Sequence, residues 1–332
     1  MLDRLTSRPP VNEQNSRQAR ESHSSIVSGA TLLLYFNARA FDRRQLAQYS
    51  LKLTRRNLFR VRLEIYHATP TRKGVAMNIR QIRNATLVID YGGKRFLTDP
   101  WFGPKGDFPG FEGTPNSHLR NPTVDLPVPV DELLDVDAVL LTHVHPDHWD
   151  EHAARALHKN IPFFVQHAGD REIIRAAGFS DVRVLTGNPV FEGVKIIKTP
   201  GQHGSDECVT AIYDLLGEVC GLVLKHPSEP TLYLAGDTVF NDYVAGNLQS
   251  FSPDVIVLNC CDAQVTGLGS IIMSKEDVRE VYRRMPHARI IASHMEAVNH
   301  ATLTRAALRG YLAEHGMTDR VLVPEDGETC VL

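Results

Sequence analysis

Thr142-His143-Val144-His145-Pro146-Asp147-His148-Trp149-Asp150 is the stretch whose reading decides the fold. The apolar run over residues 136–142 reads as a buried strand and leads straight into it. His143 and His145 stand two apart, so in extended backbone both imidazoles project to one side. Pro146 stops the strand and turns the chain, which lets Asp147 and His148 approach from a second direction. Three imidazoles and one carboxylate in so short a run are costly to bury without a partner. A divalent cation such as zinc, manganese or iron satisfies neutral imidazole and carboxylate together. The competing reading is a surface turn that happens to be rich in histidine. It suits a lone His better than four ligand-type residues in H-x-H-x-D-H at a strand end.

On the N-terminal side, residues 85–91 and 94–97 flank Gly92-Gly93, a hairpin pattern. Residues 101–130 are rich in Gly, Pro and Asn and too long for a simple connection. They predict a lid or binding loop. Lys105, His118 and Arg120 in it are candidates to hold an anionic group of a substrate; the alternative is a solvated loop. On the C-terminal side, strands are expected over 161–166, 182–185, 194–199, 219–224, 231–235, 254–259, 289–293 and 321–323. Trp149, Ala153, Ala156 and Leu157 follow helical spacing, and 172–177 reads as a helix closed by Gly178. Ser274 and Asp277 resemble a capping box ahead of the apolar stripe Val278, Val281, Tyr282 and Met285. A last helix is expected from about Thr304 to Gly316, presenting Leu308, Tyr311 and Leu312. Strands come in groups first and helices fall between the later ones. That order fits an α/β fold of two sheets packed face to face with helices outside.

The chain has 332 residues, enough for one large domain or two ordinary ones. No run of 18 apolar residues exists, which argues against integral membrane association. The five cysteines form no C-x-x-C pair, so neither a zinc ribbon nor a disulfide framework is expected, and a reducing, cytoplasmic setting is the simplest reading. The net charge of −3 hides a split. Residues 1–76 carry 14 Lys+Arg against 5 Asp+Glu, and the remainder carries 22 against 34. An acidic main body argues against nucleic acid as a partner and leaves room for a small-molecule substrate. Residues 1–28 show no period and read as disordered. The basic segment 1–76 reads as an organelle transit peptide, a membrane-surface helix, or an extension outside a working domain that spans 77–332.

H-x-H-x-D-H closing a hydrophobic strand is the signature of the metallo-β-lactamase superfamily, which residues 77–332 resemble. Phe96-Leu97-Thr98-Asp99-Pro100-Trp101 makes the chain similar to the branch that includes ascorbate-phosphate lactonase and the phospholipase D acting on N-acylphosphatidylethanolamine. The resemblance implies an αββα sandwich with two divalent metal ions, zinc first and manganese or iron as alternatives, at one edge of the sheets. It implies three further ligands after strands: His203 in Thr199-Pro200-Gly201-Gln202-His203, Asp237 in Ala235-Gly236-Asp237-Thr238, and His294 closing Ile290-Ile291-Ala292-Ser293-His294. In the more usual form His directly follows Thr-Pro-Gly, whereas Gln202 intervenes here. The full metal set is then His143, His145, Asp147, His148, His203, Asp237 and His294, with Asp237 bridging and Asp147 also orienting the nucleophile. The implied activity is hydrolysis of a lactone, ester, amide or phosphodiester by a metal-activated water. A non-heme iron oxidoreductase and a non-catalytic metal-binding scaffold are the alternatives. Asp99 is expected either to orient a ligand imidazole or to end a strand as an Asp-Pro turn. Relatives often carry His where Asn84 stands. Glu296 and His300 are candidates to relay a proton or to be ordinary loop and cap residues, and Cys260 and Cys261 read as inert core thiols.

Overall fold

The structure is a computed structural model that describes residues 77–332; the expectations placed on 1–76 lie outside the described residues. The strands, in chain order, begin with β1 (Asn78–Arg83), β2 (Thr86–Tyr91), β3 (Lys94–Thr98), β4 (Ala138–Leu141), β5 (Phe163–Val165) and β6 (Val182–Val184). There follow β7 (Val190–Phe191), β8 (Val194–Pro200), β9 (Cys220–Lys225), β10 (Leu232–Leu234), β11 (Val255–Asn259), the hairpin β12 (Gln264–Val265) and β13 (Gly269–Ser270), β14 (Arg289–Ser293), β15 (Val321–Leu322) and β16 (Thr329–Val331). One sheet has the order β16-β1-β2-β3-β4-β5-β6 and the other β15-β14-β11-β10-β9-β8-β7. β3 through β6 run parallel to one another, and so do β10, β11, β14 and β15.

Parallel strands covered on both faces read as unbroken apolar runs. In β4, Ala138 and Leu140 face the other sheet while Val139 and Leu141 face outward to helices. In β11, Val255 and Val257 face inward while Ile256 and Leu258 face outward. Each Val, Leu or Ile among them, once buried, contributes ~1.5–3 kcal/mol. Helices α1 (Glu151–Ala156) and α2 (Ala168–Ala176) cover the first sheet through Ala153 and Ile174. After α3 (Asp206–Leu216), helices α4 (Asp242–Phe251), α5 (Lys275–Arg284) and α6 (Arg305–Glu314) cover the second sheet through Val244, Leu248, Val278, Val281, Leu308 and Leu312. The layers are therefore α, β, β, α, as expected.

The Ser274–Asp277 capping box is present in both directions, and Thr304 caps α6. α2 starts earlier than its apolar spacing suggests, because His167 caps it by accepting from the Asp170 N–H. α3 and α4 were not legible as apolar stripes; Ser205 and Asn241 supply their caps. Among the described residues no helix is long and apolar enough to cross a membrane.

Candidate metal centre

His143 and His145 follow β4, His203 follows β8, Asp237 follows β10 and His294 follows β14. β8 and β10 are both antiparallel to β9, so they share a direction and end at the same edge. Ligand sites in sheets of this kind lie beyond the carboxyl ends of strands. All seven expected side chains meet there. Among the described residues, His143–His145–His203, His143–His148–Asp237 and Asp147–His148–His294 each bring their donor atoms within 4.8 Å of one another.

Asp237 Oδ2 lies at the centre. It is 3.1 Å from His148 Nε2, 3.6 Å from His294 Nε2, 3.7 Å from His203 Nε2 and 3.9 Å from His143 Nε2. His143 Nε2 is 3.0 Å from His145 Nδ1, and His294 Nε2 is 3.3 Å from Asp147 Oδ2. Tetrahedral ligation with bonds of ~2.0–2.2 Å separates neighbouring donor atoms by ~3.3–3.6 Å. The separations of 3.0–3.9 Å bracket that spacing, and the potential ligand atoms of the seven side chains face one another.

The far side of each buried ring is held. His148 Nδ1 meets Asp99 Oδ2 at 3.0 Å, His143 Nδ1 meets Thr142 Oγ1 at 3.0 Å, His203 Nδ1 donates to the Ile271 carbonyl at 2.8 Å, and His294 Nδ1 lies 3.4 Å from Cys261 Sγ. Such partners fix ring orientation and tautomer for metal-binding histidines. Asp99 is thus more than a turn residue: its Oδ1 also accepts from Thr142 N at 2.7 Å and its Oδ2 from Thr142 Oγ1 at 2.8 Å.

The buried carboxylates draw positive charge onto the imidazoles beside them. Burial opposes ionisation of Asp147 and Asp237, yet His148 and His294 hold both carboxyls below the usual range. Burial also opposes charging of His148, but Asp237, Asp147 and Asp99 push it up to about 10; Asp237 likewise raises His294. The rings beside the other triad go the opposite way. Burial and the neighbouring imidazoles lower His143, and burial with His203 brings His145 to about 4. Burial also lowers His203. Five imidazoles around two ionised, buried carboxylates are a donor set that fits divalent cations.

Local backbone is specialised to this end. Gly236 has φ +69°, and a Cβ there would sit 2.4 Å from the Cys220 carbonyl oxygen, so only glycine delivers Asp237. His294 itself adopts φ 63°, a left-handed conformation held by its N–H donating to the Asn84 carbonyl at 3.0 Å. The additional Gln202 is absorbed by turning aside, where its amide donates to the Gly204 carbonyl and Asp206.

Other expectations fare differently. Lys105, His118 and Arg120 are exposed, and Arg120 spends its guanidinium on the Gly106 and Asp107 carbonyls. The 101–130 loop is pinned. Asn121 and Asn299 exchange hydrogen bonds of 2.9 and 2.8 Å, and Asn299 Nδ2 also donates to Thr114 Oγ1 and the Pro115 carbonyl. The buried Arg83 donates to the carbonyls of Trp101, Gly103 and Val124. Glu296 pairs with Arg305 at 2.8 Å and accepts from its N–H, a role at the start of α6. His300 is buried edge-on to Phe111, its Nδ1 has no partner, and burial brings it to about 4. Cys260 and Cys261 are buried with raised thiols, as core cysteines should be, although Cys261 also touches His294.

Two amides complete the site: Asn84, singled out in the sequence only as standing where relatives often carry His, and Asn259, which the sequence reading missed. Asn84, fully buried, donates to the Asp147 carbonyl and to Asp147 Oδ2, each at 3.1 Å. Asn259 donates to Asp237 Oδ1 at 2.7 Å. The signal available for Asn259 was a polar residue closing the otherwise apolar run of β11.

Comparison with known proteins agrees with this architecture. A family profile described as a beta-lactamase superfamily domain matches residues 94–295. The chain is 49% identical over 254 residues to the UPF0173 protein YddR of Bacillus subtilis (strain 168), covering 76% of this chain and 99% of that one. It is similar to the crystal structure of an isothiocyanate hydrolase from Delia radicum gut bacteria, with TM-score 0.75, 49% identity, and coverage of 77% of this chain and 99% of that one. It is also similar to a possible metal-dependent hydrolase from Veillonella parvula DSM 2008, with TM-score 0.76, 41% identity, and coverage of 78% and 100%.

Proposed function

This chain belongs to the beta-lactamase superfamily, and from that membership we propose a two-metal hydrolase acting on a small molecule that bears an electrophilic carbon, an isothiocyanate first among them. The hydrolase class, in preference to an iron oxidoreductase or an inactive scaffold, is supported by the relatives and structural neighbours that carry hydrolase names. His143, His145 and His203 would hold one cation, and Asp147, His148 and His294 the other. Zinc is the first expectation, with manganese or iron as alternatives. The observation that carries the pair is Asp237 Oδ2, which lies between imidazole nitrogens of both triads. When bound, such a pair supplies a water-derived nucleophile near neutral pH and stabilises developing negative charge.

The chain's own residues position and protect that chemistry. Asn84 pins Asp147 at its carboxylate and backbone, so that Asp147 orients the attacking water. Asp99 and the Ile271 carbonyl keep the ring protons of His148 and His203 on the outer nitrogens. For R–N=C=S, water adds at carbon to give the thiocarbamic acid R–NH–C(=O)–SH. Its C–N bond then breaks, nitrogen takes the thiol proton, and R–NH2 and O=C=S leave. We assign the passing of that proton to His300, whose buried Nδ1 has no hydrogen-bond partner. Five free, buried thiols suit a reducing compartment, the cytoplasm.

The test is a panel of alkyl and aryl isothiocyanates, lactones, phosphodiesters, thioesters and β-lactams offered to protein loaded with zinc or manganese. Amine and carbonyl sulfide release from isothiocyanates, faster than turnover of any other class, is expected. Turnover confined to lactones or phosphodiesters would replace the substrate assignment.

A further inference from the structure

Asn259 closes β11, the strand between the one that delivers Asp237 and the one that delivers His294. Val255 and Val257 of β11 face the space between the sheets. By the two-residue period Asn259 lies on that same face, buried and at the metal edge. Its side chain donates to Asp237 Oδ1 at 2.7 Å, at the short end of the range for N–H···O bonds and as expected for a charged acceptor. The other oxygen, Oδ2, is the one that approaches the four imidazole nitrogens. The two oxygens of Asp237 therefore have separate tasks.

We propose that Asn259 is the positioning residue that confines Asp237 to bridging through Oδ2 alone, and so sets the affinity of the second cation. The proposal rests on the two-metal reading above. An amide suits the task. Lys or Arg at this point would offset the carboxylate charge that the cations need, whereas Asn fixes one oxygen and leaves the charge intact. Without that donor, Oδ1 is a buried acceptor with no partner. The carboxylate would then be free to turn, and its Oδ2 would no longer be held between the imidazoles of the two triads.

The test uses the full chain, with Mn2+ as probe, in Asn259→Leu and Asn259→Asp. Leucine removes the donor, and aspartate keeps the shape but sets a like charge against Asp237. Equilibrium binding and electron paramagnetic resonance are read together. Wild type is expected to take two Mn2+ with an exchange-coupled spectrum. In both variants the first Mn2+ should bind as in wild type, the second ~10–100-fold more weakly, and the coupled signal should vanish. If leucine prevents folding, the aspartate variant decides. Two Mn2+ bound with wild-type affinity and coupling in a folded variant would overturn the proposal. A wild-type protein that takes only one Mn2+ would instead overturn the two-metal reading.

Discussion

Replacing Asp99 with Asn changes one atom pair and should move a proton across a ring. Asp99 Oδ1 accepts from Thr142 N at 2.7 Å, and Oδ2 accepts from Thr142 Oγ1 at 2.8 Å and from His148 Nδ1 at 3.0 Å. In Asp99→Asn the carbonyl oxygen keeps the backbone contact and the NH2 faces His148. Two donors cannot face each other, so His148 Nδ1 must become the acceptor and its proton shifts to Nε2. Nε2 is the atom that lies 3.1 Å from Asp237 Oδ2, and once protonated it cannot bind a metal. Affinity at that position should fall ~10–100-fold, or ~1.4–2.7 kcal/mol. Folding of the metal-free chain should suffer less, because the Thr142 hydroxyl can rotate to accept. Asp99→Ala should reverse the order. It strands three buried donors at ~1–3 kcal/mol each, and with the hydroxyl reoriented two remain, so ~2–6 kcal/mol of stability should go. Zinc competition with a chromogenic chelator and urea unfolding of the metal-free proteins read the two effects separately. An Asp99→Asn protein that binds both equivalents of zinc as tightly as wild type would refute the tautomer argument.

Asp237→Asn keeps shape and removes the central charge; metal content should fall at both positions, with turnover all but lost. His203→Ala should empty one position and leave the Asp147–His148–His294 side largely occupied, so one equivalent of metal by elemental analysis is expected. His300 adds a pH dependence. Its unfolded imidazole titrates near ~6.5 and burial brings the folded one to about 4, so stability present above ~6.5 is lost as pH falls toward 4, by up to ~3 kcal/mol. The difference in unfolding free energy between wild type and His300→Gln should change across that window; a constant difference would show that the folded ring titrates normally. A chain starting at Met77 should fold and keep both metals by the same elemental analysis.

What the sequence disclosed follows from how local each signal is. H-x-H-x-D-H is legible because its ligands and the strand that aims them are contiguous, and the apolar runs of β4, β8, β10 and β14 place the distant ligands at strand ends. The Gly92-Gly93 hairpin and the Ser274–Asp277 box are likewise complete within a few residues. Asn84 stands out only against relatives that carry His there; its contact was not legible, because its partner Asp147 is 63 positions away and an amide in a two-residue turn is common for conformational reasons alone. Length and composition mark the loop over 101–130 as a lid or binding loop. Its restraint comes from Asn299, 178 positions beyond Asn121, and neither asparagine stands out in its own neighbourhood.

The amides of Asn84 and Asn259 also bear on how the site works. With two dications bound, Asp147 and Asp237 offset only half of the added charge, and the five imidazoles offset none. Asn84 and Asn259 touch these carboxylates without changing that balance. The residual positive charge favours an anion at the centre, which lowers the pKa of a water held there and draws negative charge as it develops on a substrate heteroatom. A further carboxylate against Asp237 would cancel part of that residual charge and weaken both effects. Asn259→Asp, which adds such a charge beside Asp237, should therefore lower turnover per bound metal as well as disturb the bridge. That loss should persist at manganese concentrations high enough to fill both positions, whereas a defect of affinity alone would disappear there.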